Sequence, residues 1–157
     1  MDINDLILPQ TPFEPINTTE MFKDKKVILF GLPGAFTPTC SNKQLPGFEY
    51  MFHKFQEKGI HEIYCVSVND AFVMSKWFKD QDILNVNWLA DGSGILTERL
   101  GMLVKKDNLG FGVRSWRYAC VINNGIVEQM FAEEGMCDDH GEDPYELSSP
   151  RNVYEQL

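Results

Sequence analysis

The chain has 157 residues, 43% hydrophobic and 24% charged, with a formal net charge of −9. A chain of this length buries about 70% of its unfolded surface and needs no disulfide or metal to fold; its balanced composition excludes disordered and fibrous classes. The net acidity argues against a fold-wide basic patch, so no nucleic-acid partner is expected, and four cysteines are too few for a disulfide-dense secreted scaffold. Residues 1–24, rich in Pro, Asp and Asn, read as an irregular or edge segment. They lack the basic and apolar regions of a signal peptide. No apolar run approaches the length of a membrane span. A cytoplasmic protein with no membrane partner is therefore expected, and in that compartment a cysteine that matters is more often catalytic than structural.

Val27-Ile28-Leu29-Phe30 is a continuous apolar run, the mark of a strand buried on both faces. It ends in the turn Gly31-Leu32-Pro33-Gly34. From Ser41 onward, Leu45, Phe48, Phe52 and Phe55 recur at helical spacing until Gly59, and Pro46 inside that run predicts a kink. Ile63 to Val68 is a second buried strand, and Asn69-Asp70 caps the next helix, where Val73, Met74, Trp77 and Phe78 keep helical spacing. Val86 to Leu89 reads as a third strand and Ile95 to Leu100 as a short helix. Residues 105–115 read as a Gly-containing loop. Two strands, about 116–122 and 126–131, flank Asn123-Asn124-Gly125, a strong hairpin signal. An acidic loop and a helix at about 149–156 complete the chain.

Early strands joined by crossover helices, followed by a late hairpin, predict an α/β fold: a thioredoxin-like central mixed sheet flanked by helices. The charge is uneven. Residues 1–24 carry net −4, residues 25–131 net +2 and residues 132–147 net −7, so the summed figure says little about the field at a site.

The chemistry concentrates in Pro33-Gly34-Ala35-Phe36-Thr37-Pro38-Thr39-Cys40-Ser41, between the first core strand and its helix. Cys40 is expected in the first helical turn, where free backbone N–H groups and the helix dipole favour an anion. Its thiol pKa should fall below the ordinary value. Pro33 and Pro38 stiffen the turn, and Gly34 permits a backbone conformation closed to other residues. Thr37 lies close enough to aim its hydroxyl into the same pocket.

Pro33 to Cys40 resembles the P-x-x-x-T-x-x-C active-site loop of peroxiredoxins, in the form of the type II, or type 5, atypical subfamily. Val66 to Met74, Asp91-Gly92-Ser93-Gly94, Leu109-Gly110-Phe111-Gly112 and Arg114 to Tyr118 extend the resemblance over residues 25 to 131. The resemblance implies one thioredoxin-like domain over residues 1–157. It implies a thiol peroxidase acting on hydrogen peroxide and alkyl hydroperoxides, with no bound cofactor or metal, in antioxidant defence. Cys40 then matches the peroxidatic cysteine, which becomes a sulfenic acid. Thr37 matches the hydroxyl that positions the peroxide, accepting from one peroxide oxygen and donating towards the thiolate. Arg117 matches the arginine beside the thiolate, and Pro33 the proline that shields the site. Chemistry agrees: displacement at an O–O bond needs a thiolate and stabilisation of the departing oxygen.

Turnover requires reduction of the sulfenic acid. Cys65, on a buried strand, and Cys137, in the acidic loop, are the candidate resolving thiols, whereas Cys120 reads as core. No cysteine stands near Leu147, where animal-type members carry a resolving one. Recycling by glutathione with glutaredoxin is therefore expected, with thioredoxin as the alternative donor. The resemblance also implies a homodimer packed near the active-site loop. His140 among the loop carboxylates reads as part of a solvated acidic loop, not a metal ligand. Two other readings are a redox sensor or holdase that uses Cys40 as a peroxide-responsive switch, and a cysteine hydrolase, for which His53 and His61 offer no context. Gly31 stands where many members have Ser.

Overall fold

The computed structural model describes residues 1–157. The amino-terminal segment is more regular than its composition predicts. Ile7–Gln10 (β1) and Phe13–Asn17 (β2) pair antiparallel, and Thr18–Phe22 forms helix α1, whose first amides donate to the Asn17 side chain. Ile3, Leu6, Leu8 and Phe22 are buried, and that burial anchors the segment to the core.

Lys26–Leu32 (β3) is the centre of the sheet. It pairs in parallel with Glu62–Ser67 (β4), which pairs in parallel with Asn87–Ala90 (β5). On its other side β3 pairs antiparallel with Tyr118–Asn123 (β8), which pairs with Ile126–Ala132 (β9). The resulting order is β5-β4-β3-β8-β9, the mixed sheet expected from the sequence. Asn124 and Gly125 both take positive φ at the β8–β9 turn, the conformation that Asn-Gly favours. Residues 103–115 depart from the expected loop: Leu103–Lys105 (β6) and Val113–Ser115 (β7) form a small antiparallel pair around a turn at Asp107–Leu109. Short exposed strands with little apolar alternation give no period to read.

The helices lie where hydrophobic periodicity places them. Leu45–Glu57 (α2) buries Leu45, Phe48, Phe52 and Phe55, while Ala71–Asp80 (α3) is capped by Asp70, whose carboxylate accepts from Val73 N at 2.9 Å. Ile95–Arg99 (α4) starts over buried Asp91, which accepts from Thr97 N at 2.7 Å and from the Thr97 hydroxyl at 2.6 Å. Pro150–Gln156 (α5) is capped by Ser149. None is long and apolar enough to cross a membrane.

Strand alternation divides the core into two layers. Ile28, Phe30, Ile63, Cys65, Ala119 and Val121 face the layer that contains Cys40, α2 and α3. Val27, Leu29, Tyr64, Val66, Tyr118 and Cys120 face the opposite layer, with Leu96 and Trp116. Period two therefore places Cys65 on the same face as Cys40 and Cys120 on the other. The same register explains Gly31. It pairs with Tyr118, and a Cβ on residue 31 would overlap the Tyr118 ring. A residue with a side chain there would have to displace a fully buried tyrosine.

Candidate active site

The helix that carries Cys40 begins at Pro38, runs through a π-helical turn at Cys40–Gln44 and continues as α2. Pro38 suits a first helical position, where its missing N–H costs nothing. Leu45 N donates to Cys40 O, the wide π bond, and Pro46 follows with no donor at all. The kink expected at Pro46 is thus realised as a π turn just before it. Ser41 N donates to Thr37 O at 2.9 Å, and Trp77 Nε1 on α3 donates to Ser41 Oγ at 2.9 Å, bracing the first turn.

The preceding loop is held at both ends. Arg114 Nη1 donates to Pro33 O at 3.1 Å, and its Nε donates to Phe111 O at 3.2 Å. Ala35 N donates to Asn69 Oδ1 at 3.0 Å, tying the loop to the end of β4. The residue in the left-handed region is Phe36, with φ 64°, not Gly34. That conformation costs a non-glycine residue about 1–2 kcal/mol, which the surrounding bonds must offset. Gly34 is required for a different reason: a Cβ there would collide with the Arg114 guanidinium.

Cys40 is fully buried. Arg117, only 1% exposed, points one Nη2 proton at Cys40 Sγ, 3.4 Å away. Its other donors serve Gln44 and Asp143, with Nε donating to Asp143 Oδ1 at 3.3 Å. Nη1 donates to Gln44 Oε1 at 2.6 Å, and Nη2 donates to Asp143 Oδ1 and Oδ2 at 2.8 and 2.9 Å. Burial opposes the charge on Arg117, but the negative charges at Cys40 and Asp143 outweigh it and raise its pKa. Arg114 moves the other way, lowered by burial despite the charge at Cys40. Gln44 is itself buried, and its Nε2 has no partner.

Arg117 meets Cys40, while Pro33 and Thr37 lie on the loop that leads into the same helix, and one expected role of Thr37 changes. The Thr37 hydroxyl spends its only proton on Gly34 O, at 2.7 Å. It can offer lone pairs to a ligand but cannot also donate to the thiolate. Thr37, Pro33, Pro38, Phe111 and Asp143 border a cavity of about 280 Å³ that Cys40 itself does not line. A larger groove of about 570 Å³, between α3 and β5, shares none of these residues.

The other cysteines separate clearly. All four are free thiols. Cys65 is buried in the layer of Cys40, and burial together with the charge at Cys40 pushes its pKa well up. Cys120 is buried in the opposite layer, and burial raises its pKa too. Cys137 is exposed. His53 bonds to Gln56 and His61 to the backbone of Lys26, so neither histidine bonds to the cysteine.

The acidic loop is exposed at Glu134, Asp138, Asp139, Glu142, Asp143 and Glu146, as its charge suggests, and Glu133 alone of its acids is buried. Glu133 is 3% exposed and accepts from Glu146 N, Leu147 N, Ser148 N and the Ser148 hydroxyl at 2.5–3.0 Å. Asp138 accepts from Lys105 N and Asp139 from Asn108 N, pinning the loop to the β6–β7 hairpin. His140 packs edge-on against Trp116, with 5.3 Å between ring centroids. No cluster of three or more His, Cys, Asp or Glu is placed to hold a metal. Two partners of Arg117, Gln44 and Asp143, and the loop brace Arg114 have no place in the sequence expectations. Gln44 was findable, since it lies four residues after Cys40 on one helix. Arg114 had only its place in a matched stretch, and Asp143 had no local signal.

A central mixed sheet with a buried cysteine at the first helix, opposed by an arginine, defines a thiol-redox protein of the thioredoxin-like class. Residues 2–142 match the Redoxin family. The chain is 57% identical over 145 residues to a peroxiredoxin of Rhizobium etli, covering 92% of this chain and 81% of that one. Among solved structures, reduced Prx3 of Vibrio vulnificus in complex with H2O2 matches with TM-score 0.89 at 36% identity, covering 100% of this chain and 97% of that one. The Plasmodium falciparum antioxidant protein, a 1-Cys peroxiredoxin, matches with TM-score 0.88 at 40% identity, covering 90% and 80%. The chain belongs to the peroxiredoxins, thiol-dependent peroxidases with an antioxidant role.

Proposed function

We propose that Cys40 is the peroxidatic nucleophile and that the whole chain, residues 1–157, acts as one domain reducing hydrogen peroxide and alkyl hydroperoxides. The observation that carries this reading is the 3.4 Å contact from buried Arg117 Nη2 to Cys40 Sγ. A permanently charged donor, shielded from water and held by Gln44 and Asp143, is fixed where it can stabilise negative charge at the reacting atoms. The thiolate attacks one peroxide oxygen. An S–O bond forms as the O–O bond breaks, sulfur loses two electrons, and the other oxygen leaves as alkoxide or hydroxide and takes a proton. Arg117 stabilises the departing charge, Thr37 Oγ1 accepts from the peroxide hydroxyl, and Pro33 limits access of water.

Recycling follows from where the other thiols sit. Cys65 is fixed on β4, a strand paired on both sides, with its pKa raised. Cys137 is exposed in a loop that is pinned to β6–β7. A strand-locked thiol with a raised pKa and a thiol in a pinned loop are both poorly suited to resolve the sulfenic acid, which favours an external thiol: glutathione with glutaredoxin first, thioredoxin second. A thiol displaces hydroxide from the sulfenic sulfur as water, and a second thiol releases Cys40 as a mixed disulfide is reduced. Self-association near the active-site loop belongs to the same reading, with Phe36 and Phe72 more than half exposed beside it.

The test is NADPH-coupled turnover with glutaredoxin and with thioredoxin in parallel. Cys40→Ser is expected to abolish peroxide consumption, while Cys65→Ser and Cys137→Ser keep most of it with glutathione and glutaredoxin. Full activity in Cys40→Ser would contradict the nucleophile assignment. A single oxidation without recycling by either donor would point to a sensor instead.

A further inference from the structure

The cavity beside Cys40 contains a cation that the peroxidase reaction does not use. Lys106 follows β6 and is only 4% exposed. Its ammonium makes no side-chain hydrogen bond, and none of the five ion pairs of the chain includes it. It lies over the face of Trp116, 5.5 Å from Nζ to the ring centroid. The stem is packed within the protein while the ammonium keeps contact with solvent, so its charge is unspent on any protein group. The two arginines nearby differ: Arg117 is occupied by Cys40, Gln44 and Asp143, and Arg114 by two backbone carbonyls.

Lys106 lines the 280 Å³ cavity with Pro33, Thr37, Leu109 and Phe111. Two carboxylates also border it. Asp143 is committed to Arg117 through both oxygens, and Glu142 is exposed; neither reaches Lys106 within ion-pair distance. The space thus combines the Thr37 hydroxyl at the Cys40 end, carbon walls, and one unspent positive charge. Peroxide alone would need neither the walls nor the charge.

We propose that Lys106 anchors a single carboxylate on the molecule that enters this cavity, with the ligand's apolar stem lying against Pro33, Leu109 and Phe111. One cation between two bordering carboxylates suits a monoanion better than a phosphate dianion. Two molecules could bring this group: a hydroperoxide with a carboxylate at its far end, or a thiol reductant with one. The inference rests on Cys40 as the nucleophile.

The experiment compares wild type, Lys106→Met and Lys106→Arg in single-turnover half-reactions. Oxidation of Cys40 is followed with H2O2, with cumene hydroperoxide and with linoleic acid hydroperoxide. Reduction of the sulfenic acid is followed with 2-mercaptoethanol and with 3-mercaptopropionate. Lys106→Met keeps an unbranched four-atom stem in the same place and removes the terminal ammonium. It is expected to leave the H2O2, cumene hydroperoxide and mercaptoethanol rates within about twofold, and to slow at least one carboxylate reagent about tenfold or more, the scale of a lost charge-assisted hydrogen bond. Lys106→Arg should restore most of that loss. The arm that responds identifies the source of the carboxylate. Equal slowing of charged and neutral reagents, or no slowing of either carboxylate reagent, overturns the inference. Failure of H2O2 to oxidise Cys40 in the wild type would instead overturn the peroxidase reading beneath it.

Discussion

Two loops meet at Arg117, and they carry their information differently. Pro33 to Cys40 declares its role in local sequence, because prolines, a glycine and a cysteine at a helix start each have one strong conformational or chemical consequence. Residues 132–147 carry seven acids and no base, a pattern that reads as a solvated surface. Yet Glu133 is buried among backbone amides, Asp138 and Asp139 hold the β6–β7 hairpin, and Asp143 grips Arg117. Charge counts locate neither a buried carboxylate nor its partners. Those partners are mostly backbone N–H groups, which no residue pattern announces.

The largest expected effect separates the two loops. Arg117→Met removes the donor shared by Cys40 and Asp143, and should lower the second-order rate with H2O2 by about 10²–10³-fold, the cost of losing one preorganised oxyanion donor. Stopped-flow oxidation of Cys40 checks it, and a loss below tenfold would place the stabilising field elsewhere. Next is Glu133→Gln. It puts an amide where four N–H or O–H donors converge, so the fold should lose about 1–3 kcal/mol, read by denaturant unfolding. Unchanged stability would mean that Glu133 does not anchor the acidic loop. The smallest effect belongs to Asp143→Asn. Asp143 is 46% exposed, so solvent screens its pair with Arg117. Stability should scarcely change, while the H2O2 rate falls about threefold to fivefold, the scale of about 1 kcal/mol for such a pair. Equal losses in both measurements would make Asp143 structural, not a positioning residue for Arg117.

Much of this was legible. Continuous apolar runs gave β3 and β4, helical spacing gave α2 and α3, and Asn124-Gly125 gave the β8–β9 hairpin. Cys40, Thr37, Pro33 and Arg117 were placed together by motif and chemistry before any geometry. What was hidden depends on long-range contacts. The need for Gly31 lies in Tyr118, across the sheet. The need for Gly34 lies in Arg114, and the strained residue of the loop is Phe36. The direction of the Thr37 proton is set by Gly34 O, so its role narrows to an acceptor. The β1–β2 pair and the β6–β7 pair are short and partly exposed, where tertiary docking and not periodicity decides structure.

The central claim is that Cys40, opposed by Arg117, is the sulfur that peroxide oxidises. One stoichiometric equivalent of H2O2, followed by trapping with a sulfenic-acid reagent and peptide mass mapping, tests it directly. The account predicts the adduct on Cys40 in the wild type and in the Cys65→Ser and Cys137→Ser variants, with none in Arg117→Met at the same early time. A first adduct on exposed Cys137 or buried Cys65, with Cys40 left reduced, would contradict it.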